Sequence, residues 1–358
     1  MNSSGRPGFQ QYSGKALNST GGLHESFYDL AEETTSQALA AGIAFAAVLA
    51  HASLIITPTF DPSLNSAEQA AIIAGIGVIE GDISSPNNIT VSIYFNSMST
   101  GLGQSETGIY TVSYDDYYNA FKAVATSANQ MAALISLGAA PTSESSGNPV
   151  DGSTEVAITS AEGRNLGFNT PGAVTVGSGT YDSEVSLNTS ITSPPNSLAG
   201  NYGLEAVATH EIDEVLGIGG TGSTLSGTGS LTGAVGDLDL YRYSMPGVRS
   251  YSNTQTTSPL AYFSINGGTT VLSYFNQTEG ADFGDWLSNP IPAGFGPQVQ
   301  DAFGEPGTNP ALGVNELTAF NAIGYQLTSA TPEPSTLALA GFGLAWGYSF
   351  IRRRRRAA

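Results

Sequence analysis

The sequence predicts an α+β domain, a mixed β-sheet packed with helices, in which one helix carries the chemistry and a glycine-rich loop follows it. Three observations predict this. The segments run in the order helix, strand, insertion, edge strand, helix, long loop, closing helix. Charged residues are sparse at 11% while glycine is abundant at 44, which suits long loops and uncharged strand surfaces better than a helical bundle. No internal repeat recurs at a solenoid or propeller period.

Taken in order, "SLIITPTF" from Ser53 reads as a strand entering the core. "SAEQAAIIAGIGVIEGDI" (66–83) places apolar residues at helical spacing behind a serine, and "ITVSIYF" (89–95) alternates as a strand does. "DDYYNAFKAVATSANQMAALISL" (115–137) predicts one or two helices, and "GAVTVG" and "SEVSLNTSI" (183–191) predict short strands. "YGLEAVATHEIDEVLG" (202–217) is helical, "GIGGTGSTLSGTGSLTGAVG" is a flexible loop, and "ELTAFNAIGYQL" (316–327) closes the domain as a helix. Composition does not break between 53 and 330, so one domain is expected there, with an insertion around 100–170.

Both ends of the chain read as addresses. "ALAAGIAFAAVLAHA" (Ala38–Ala52) is an apolar run closing on Ala50, His51 and Ala52, the small-x-small pattern of a signal-peptidase site. The preceding stretch is acidic, so residues 1–52 are expected to hold a signal peptide with an overlong start; the alternative is a buried core helix. At the other end, Pro332-Glu333-Pro334 precedes an apolar run, Ser335–Ile351, and five arginines, Arg352–Arg356. A helix over 335–351 barely crosses a bilayer, and the arginines hold its end on the cytoplasmic side. This ordered trio over 331–358 resembles the PEP-CTERM sorting signal. The resemblance implies a Gram-negative, biofilm-forming bacterium in which an exosortase removes the tail. The protein would be anchored in the inner membrane transiently, and only through this segment, on its way to the cell surface or extracellular matrix.

The net charge of −19 excludes nucleic acid as a partner, because phosphate contacts need Lys and Arg. Between 53 and 334 only Lys122, Arg164, Arg242 and Arg249 remain against 26 acidic residues. Such a surface could bind divalent cations. Cysteine is absent, so thiolate metal sites and disulfides are excluded.

Chemistry concentrates in "THEIDEVLGIGG". His210 and Glu214, four apart on a helix, project from one face, with Glu211 about a hundred degrees round. In the zinc-hydrolase pattern His-Glu-x-x-His the first and fifth residues bind metal and the second is the general base; here Glu214 takes the fifth place. The bland reading is a solvated acidic face. Three observations favour a metal site. The acids sit in the last turns of the helix, where its dipole disfavours them; no Lys or Arg lies between Arg164 and Arg242; and Ala206, Ile212, Val215 and Leu216 make the surroundings apolar. His210 is the sole histidine after residue 52, so the third ligand is Asp, Glu or Tyr. Asp239 is favoured over Asp237 because Leu238 and Leu240 flank it in what reads as a strand. Zn²⁺ is expected; carboxylate-rich ligation would favour a harder ion such as Ca²⁺ or Mn²⁺.

"THEIDEVLGIGG" resembles the metzincin helix at His210, Glu211 and Gly217, and departs from it at Glu214 and Gly220. "SEVSLNTS" is similar to the edge strand along which such proteases bind extended substrate. The blocks "DLDLYRYSMPGVRSYS", "DFGDW", "QDAFGEPG" and "GVNELTAFNAIGYQL", with the PEP tail, resemble a family of bacterial PEP-CTERM metalloproteases carrying His-Glu-x-x-Glu. The resemblance implies a metzincin-like fold and a secreted endopeptidase acting on protein or peptide, with Glu211 as general base. Tyr243 or Arg242 would stabilise the oxyanion. Met245 would either underlie the metal or pack in the core. Asp282, Asp285 and Asp301 make either a separate Ca²⁺ site or plain loop acids. Two alternatives stay open: a catalytically inactive, Ca²⁺-binding matrix protein on a protease-like fold, and a hydrolase of another amide or ester.

Overall fold

The computed structural model describes residues 53–225, 233–251 and 260–328. The segments read as signal peptide and as sorting tail with its 335–351 helix lie outside them, as does the middle of the glycine-rich loop. In chain order the main elements are β1 (Leu54–Phe60), α1 (Ser66–Asp82), β2 (Ile89–Ser97), β3 (Gly103–Thr107), β4 (Ile109–Ser113), α2 (Tyr114–Val124), α3 (Ala128–Ser136), β5 (Glu155–Thr159) and α4 (Ser160–Asn165). They continue with β6 (Ser183–Leu187), α5 (Leu204–Leu216), β7 (Arg242–Met245), β8 (Val248–Arg249), β9 (Tyr262–Phe263), β10 (Ser273–Tyr274) and α6 (Val314–Ala322). Among the described residues, six α-helices and several small sheets make this a mixed α+β fold. Among the described residues no helix is long and apolar enough to cross a membrane.

The main sheet runs β1–β2–β6–β3. The first three strands are parallel, and β3 is antiparallel to β6 at the edge. Val91, Ile93 and Phe95 of β2 are wholly buried, as alternation along a strand requires. Helices α1 and α5 lie side by side against this sheet, α1 beside β1 and α5 beneath β6 and β3. Ile72 and Ile79 of α1 meet Ile212, Val215 and Leu216 of α5 in one core, each burial contributing about 1.5–3 kcal/mol. Helix α1 starts where expected because Asn65 and Glu68 form a reciprocal cap.

The expected insertion around 100–170 is woven into the sheets. β3 joins the main sheet, while β4 and β5 pair antiparallel in a second sheet, where Val235–Gly236 joins β5 in parallel. The stretch 115–137 is two helices, because Ser127 and Gln130 cap a new start at α3. The segment 316–327 is a helix only to Ala322; Gln326–Leu327 then pairs with Ile83–Ser84. β8, β7, β9 and β10 form a third, antiparallel sheet.

The largest departure concerns the edge strand. Ser183–Leu187, expected at the edge, lies between β2 and β3, and the open strand is Gly103–Thr107. "GQSET" has little intrinsic strand preference, so pairing with β6 rather than side-chain propensity makes it a strand.

Candidate metal centre

Helix α5 is a buried helix ending at Gly217, whose φ of 111° is a left-handed conformation that a side chain would disfavour. The chain then returns so that Gly220 N–H donates to Glu214 Oε1 at 3.1 Å. His210, Glu211 and Glu214 all face one cleft of about 560 Å³. Its other walls are β3 with Gly101 and Leu102, and the segments Gly280–Asp285 and Pro297–Glu305.

Three donor groups converge there. His210 Nε2 lies 3.8 Å from Glu214 Oε1 and 3.7 Å from Asp285 Oδ2, and all three ligand atoms lie within 4.8 Å of one another. Donors on a tetrahedral zinc at 2.0–2.2 Å stand roughly 3.4 Å apart, so a small adjustment closes this set around a divalent ion. Each donor is held from behind. His210 Nδ1 is 2.9 Å from the Val299 carbonyl oxygen, so Nδ1 carries the proton and Nε2 turns its lone pair to the cleft. Ser105 Oγ donates to Glu214 Oε2 at 2.6 Å, and Gln300 Nε2 donates to Asp285 Oδ1 at 3.0 Å. Gln300 also stands 3.3 Å from His210 Nε2. The two negative charges of this imidazole-and-carboxylate set match one divalent cation.

Glu211 lies beside the set, 5% exposed, and accepts no hydrogen bond among the described residues. A Cβ on Gly103 would overlap its carboxylate, so only glycine lets the edge strand approach this closely. Burial, then the charge of Glu214, holds Glu211 well above the ordinary carboxylate range. Burial and Glu214 do the same to Asp285. Burial pulls His210 down, but the neighbouring Glu211 and Glu214 outweigh it and leave the imidazole raised.

Asp239, favoured from the sequence as third ligand, is elsewhere. Leu238–Tyr241 is a single turn of 3-10 helix rather than a strand, and the Asp239 carboxylate accepts from Ser223 Oγ at 2.8 Å and Thr224 N–H at 3.0 Å. Its pKa, lifted to about 6 chiefly by burial, reflects that interior position. Asp285 takes the place beside His210; the exposed Asp282 borders the same site, where a Cβ on Gly220 would meet both Glu214 Oε1 and Asp282 Oδ2, so the three acids do not make a site separate from it. Arg242 and Tyr243 do not line the cleft. Arg242 is fully buried, stacks 4.4 Å from the Phe275 ring centroid and donates to Phe283 O at 2.7 Å. It thereby pins the loop that carries Asp285. Asn276 gathers the same loop, donating to the carbonyls of Thr278, Ala281 and Asp282. Met245 is half-exposed on β7 and underlies nothing in the cleft.

Comparison with known proteins bears on the C-terminus. The PEP-CTERM protein-sorting motif matches residues 330–356. The chain carries an exosortase sorting signal. Processing by an exosortase and secretion towards the cell surface follow from it. No curated protein and no solved structure matches the chain.

Proposed function

We propose that this exosortase-sorted chain is a metal-dependent endopeptidase of the cell surface or extracellular matrix of a Gram-negative bacterium. The observation that carries the reading is the convergence of His210, Glu214 and Asp285 beside an unpartnered Glu211, under an open antiparallel strand. His210, Glu214 and Asp285 would hold a divalent ion, zinc by the donor set, which would supply Lewis acidity to a cleft water and to the substrate carbonyl. Glu211 takes the proton as that water attacks, and returns it to the leaving amine.

Edge strand β3 supports a peptide over a smaller substrate. Asn188 N–H bonds Leu102 O and Gly108 N–H bonds Asp182 O, so even-numbered residues face β6. By antiparallel alternation, the backbone groups of Gly103 and Ser105 point outward along the cleft and can pair with an extended chain. Glu211 also separates this reading from a catalytically inactive, Ca²⁺-binding matrix protein, since a structural calcium site has no use for a buried carboxylate that ligates nothing. The test is elemental analysis of the purified, dialysed full chain, followed by peptide digestion. About one zinc per chain with cleavage lost in Glu211→Gln is the expected result. Calcium alone, or cleavage that survives Glu211→Gln, would overturn it.

A further inference from the structure

The cleft contains more negative charge than the metal and the general base require. Six acids line it: Glu211, Glu214, Asp282, Asp285, Asp301 and Glu305. No Lys or Arg does. The four basic residues of the 53–328 body lie elsewhere. Arg164 pairs with Asp182 at 2.9 Å, Arg242 is buried under the 276–285 loop, Arg249 stacks on Tyr243, and Lys122 is exposed on α2. A divalent ion balances Glu214 and Asp285 and leaves Asp282, Asp301 and Glu305 without counter-charge. Asp301 is the most telling of these. It is 6% exposed, its Oδ2 accepts from Gln298 N–H at 2.8 Å, and its Oδ1 has no partner among the described residues. A buried carboxylate oxygen with no partner is costly; a proton relieves it, as in the core, and in a cleft so does a cation brought to it.

We propose that the cleft selects peptides bearing Lys or Arg side chains, with Asp301 and Glu305 on the Pro297–Glu305 wall as the specificity-determining residues. This rests on the peptide reading of the site. A cationic side chain entering beside the paired backbone gains the field of three uncompensated carboxylates in a partly desolvated groove; an acidic one is repelled by the same field.

The experiment measures binding and cleavage separately. Three fluorescent octapeptides of one length, carrying Lys, Gln or Glu at the central positions, are titrated by anisotropy against the zinc-loaded full chain, and the same peptides are digested. The expected result is at least ten-fold tighter binding of the Lys peptide than of the Glu peptide, narrowing as salt is raised from about 50 to 500 mM. Glu305→Gln, and more so Asp301→Asn with it, should weaken the Lys peptide while strengthening the Glu peptide. A merely structural lesion weakens all three alike, and exposed Glu305 can be replaced without disturbing the core. Equal affinities for the three peptides would overturn the proposal whatever is cleaved. Lys preference with no cleavage would overturn the endopeptidase reading and leave the selectivity standing.

Discussion

Glu214 and Glu162 both border the turn that ends helix α5, in opposite chemical settings. Glu214, three residues before Gly217, opens on the cleft, lies beside an imidazole and accepts from Ser105 and Gly220. Glu162, whose Oε2 would lie 2.9 Å from a Cβ on Gly217, is sealed in the core against Asp237. Neither oxygen of Glu162 has a hydrogen-bond donor, and the hydroxyls of Tyr117, Tyr241 and Tyr325, buried and electrostatically coupled to this pair, are without partners too. Burial drives all these carboxyls upward. The difference lies in what surrounds them. Preset N–H and O–H donors and a histidine keep Glu214 ready to offer lone pairs, whereas Glu162 and Asp237 are left to hold a proton between them. Burial of acids alone therefore does not mark a reactive site; the surrounding donors and the access do.

The sharpest way to break this contrast is Glu211→Gln, which should lower kcat by about 10²–10⁴-fold while zinc content is unchanged, as steady-state assay and elemental analysis would show. Gly103→Ala should cost about 10²-fold in kcat/KM, because the added methyl displaces the Glu211 carboxylate without touching a ligand. Asp285→Asn should weaken zinc binding by at least the roughly 10–100-fold typical of losing an outer-shell partner, whereas Asp239→Asn should leave the stoichiometry unchanged; competition with a chelator separates the two.

The smallest effect belongs to the sealed pair. Asp237 sits at about 7 against an ordinary 3.8, pushed up mainly by burial. The native state thus keeps a proton that the unfolded chain has released, so this group's contribution to stability is fully present below about pH 4 and is lost as the pH rises through about 7. Asp237→Asn should flatten that slope and gain about 1 kcal/mol at pH 8, or roughly 2–4 °C in Tm for a domain of this size. A melting series from pH 5 to 8 checks it; the other buried carboxyls keep part of the slope, and a slope unchanged in the variant would show that the proton resides elsewhere.

The sequence exposes the half of the site that lies on one helix. His210, Glu211 and Glu214 are legible because helical geometry converts spacing into direction. Asp285 is not, because its position depends on tertiary contacts: Arg242 and Asn276 gather its loop, and the Trp286 indole donates to Glu316 at 3.0 Å. Choosing the nearest downstream acid led to Asp239, whose flanking leucines signalled burial correctly but not direction. A better signal lay in "GADFGDW", where small residues around two acids mark a loop pressed against other backbone; Gly284 indeed meets Gly219. The edge strand was misplaced for a related reason. Alternation in "SEVSL" reports burial on one face and says nothing about which strand has a free side.

That Asp285 stands so far behind Glu214 in the chain also orders events in time. An exported protein crosses the membrane from its N-terminus, so His210 and Glu214 emerge well before their partner, and before the Arg242 and Glu316 contacts that fix it. The donor set is complete only when nearly the whole domain is outside. A chain with the proposed activity would thereby lack its complete donor set during its own passage.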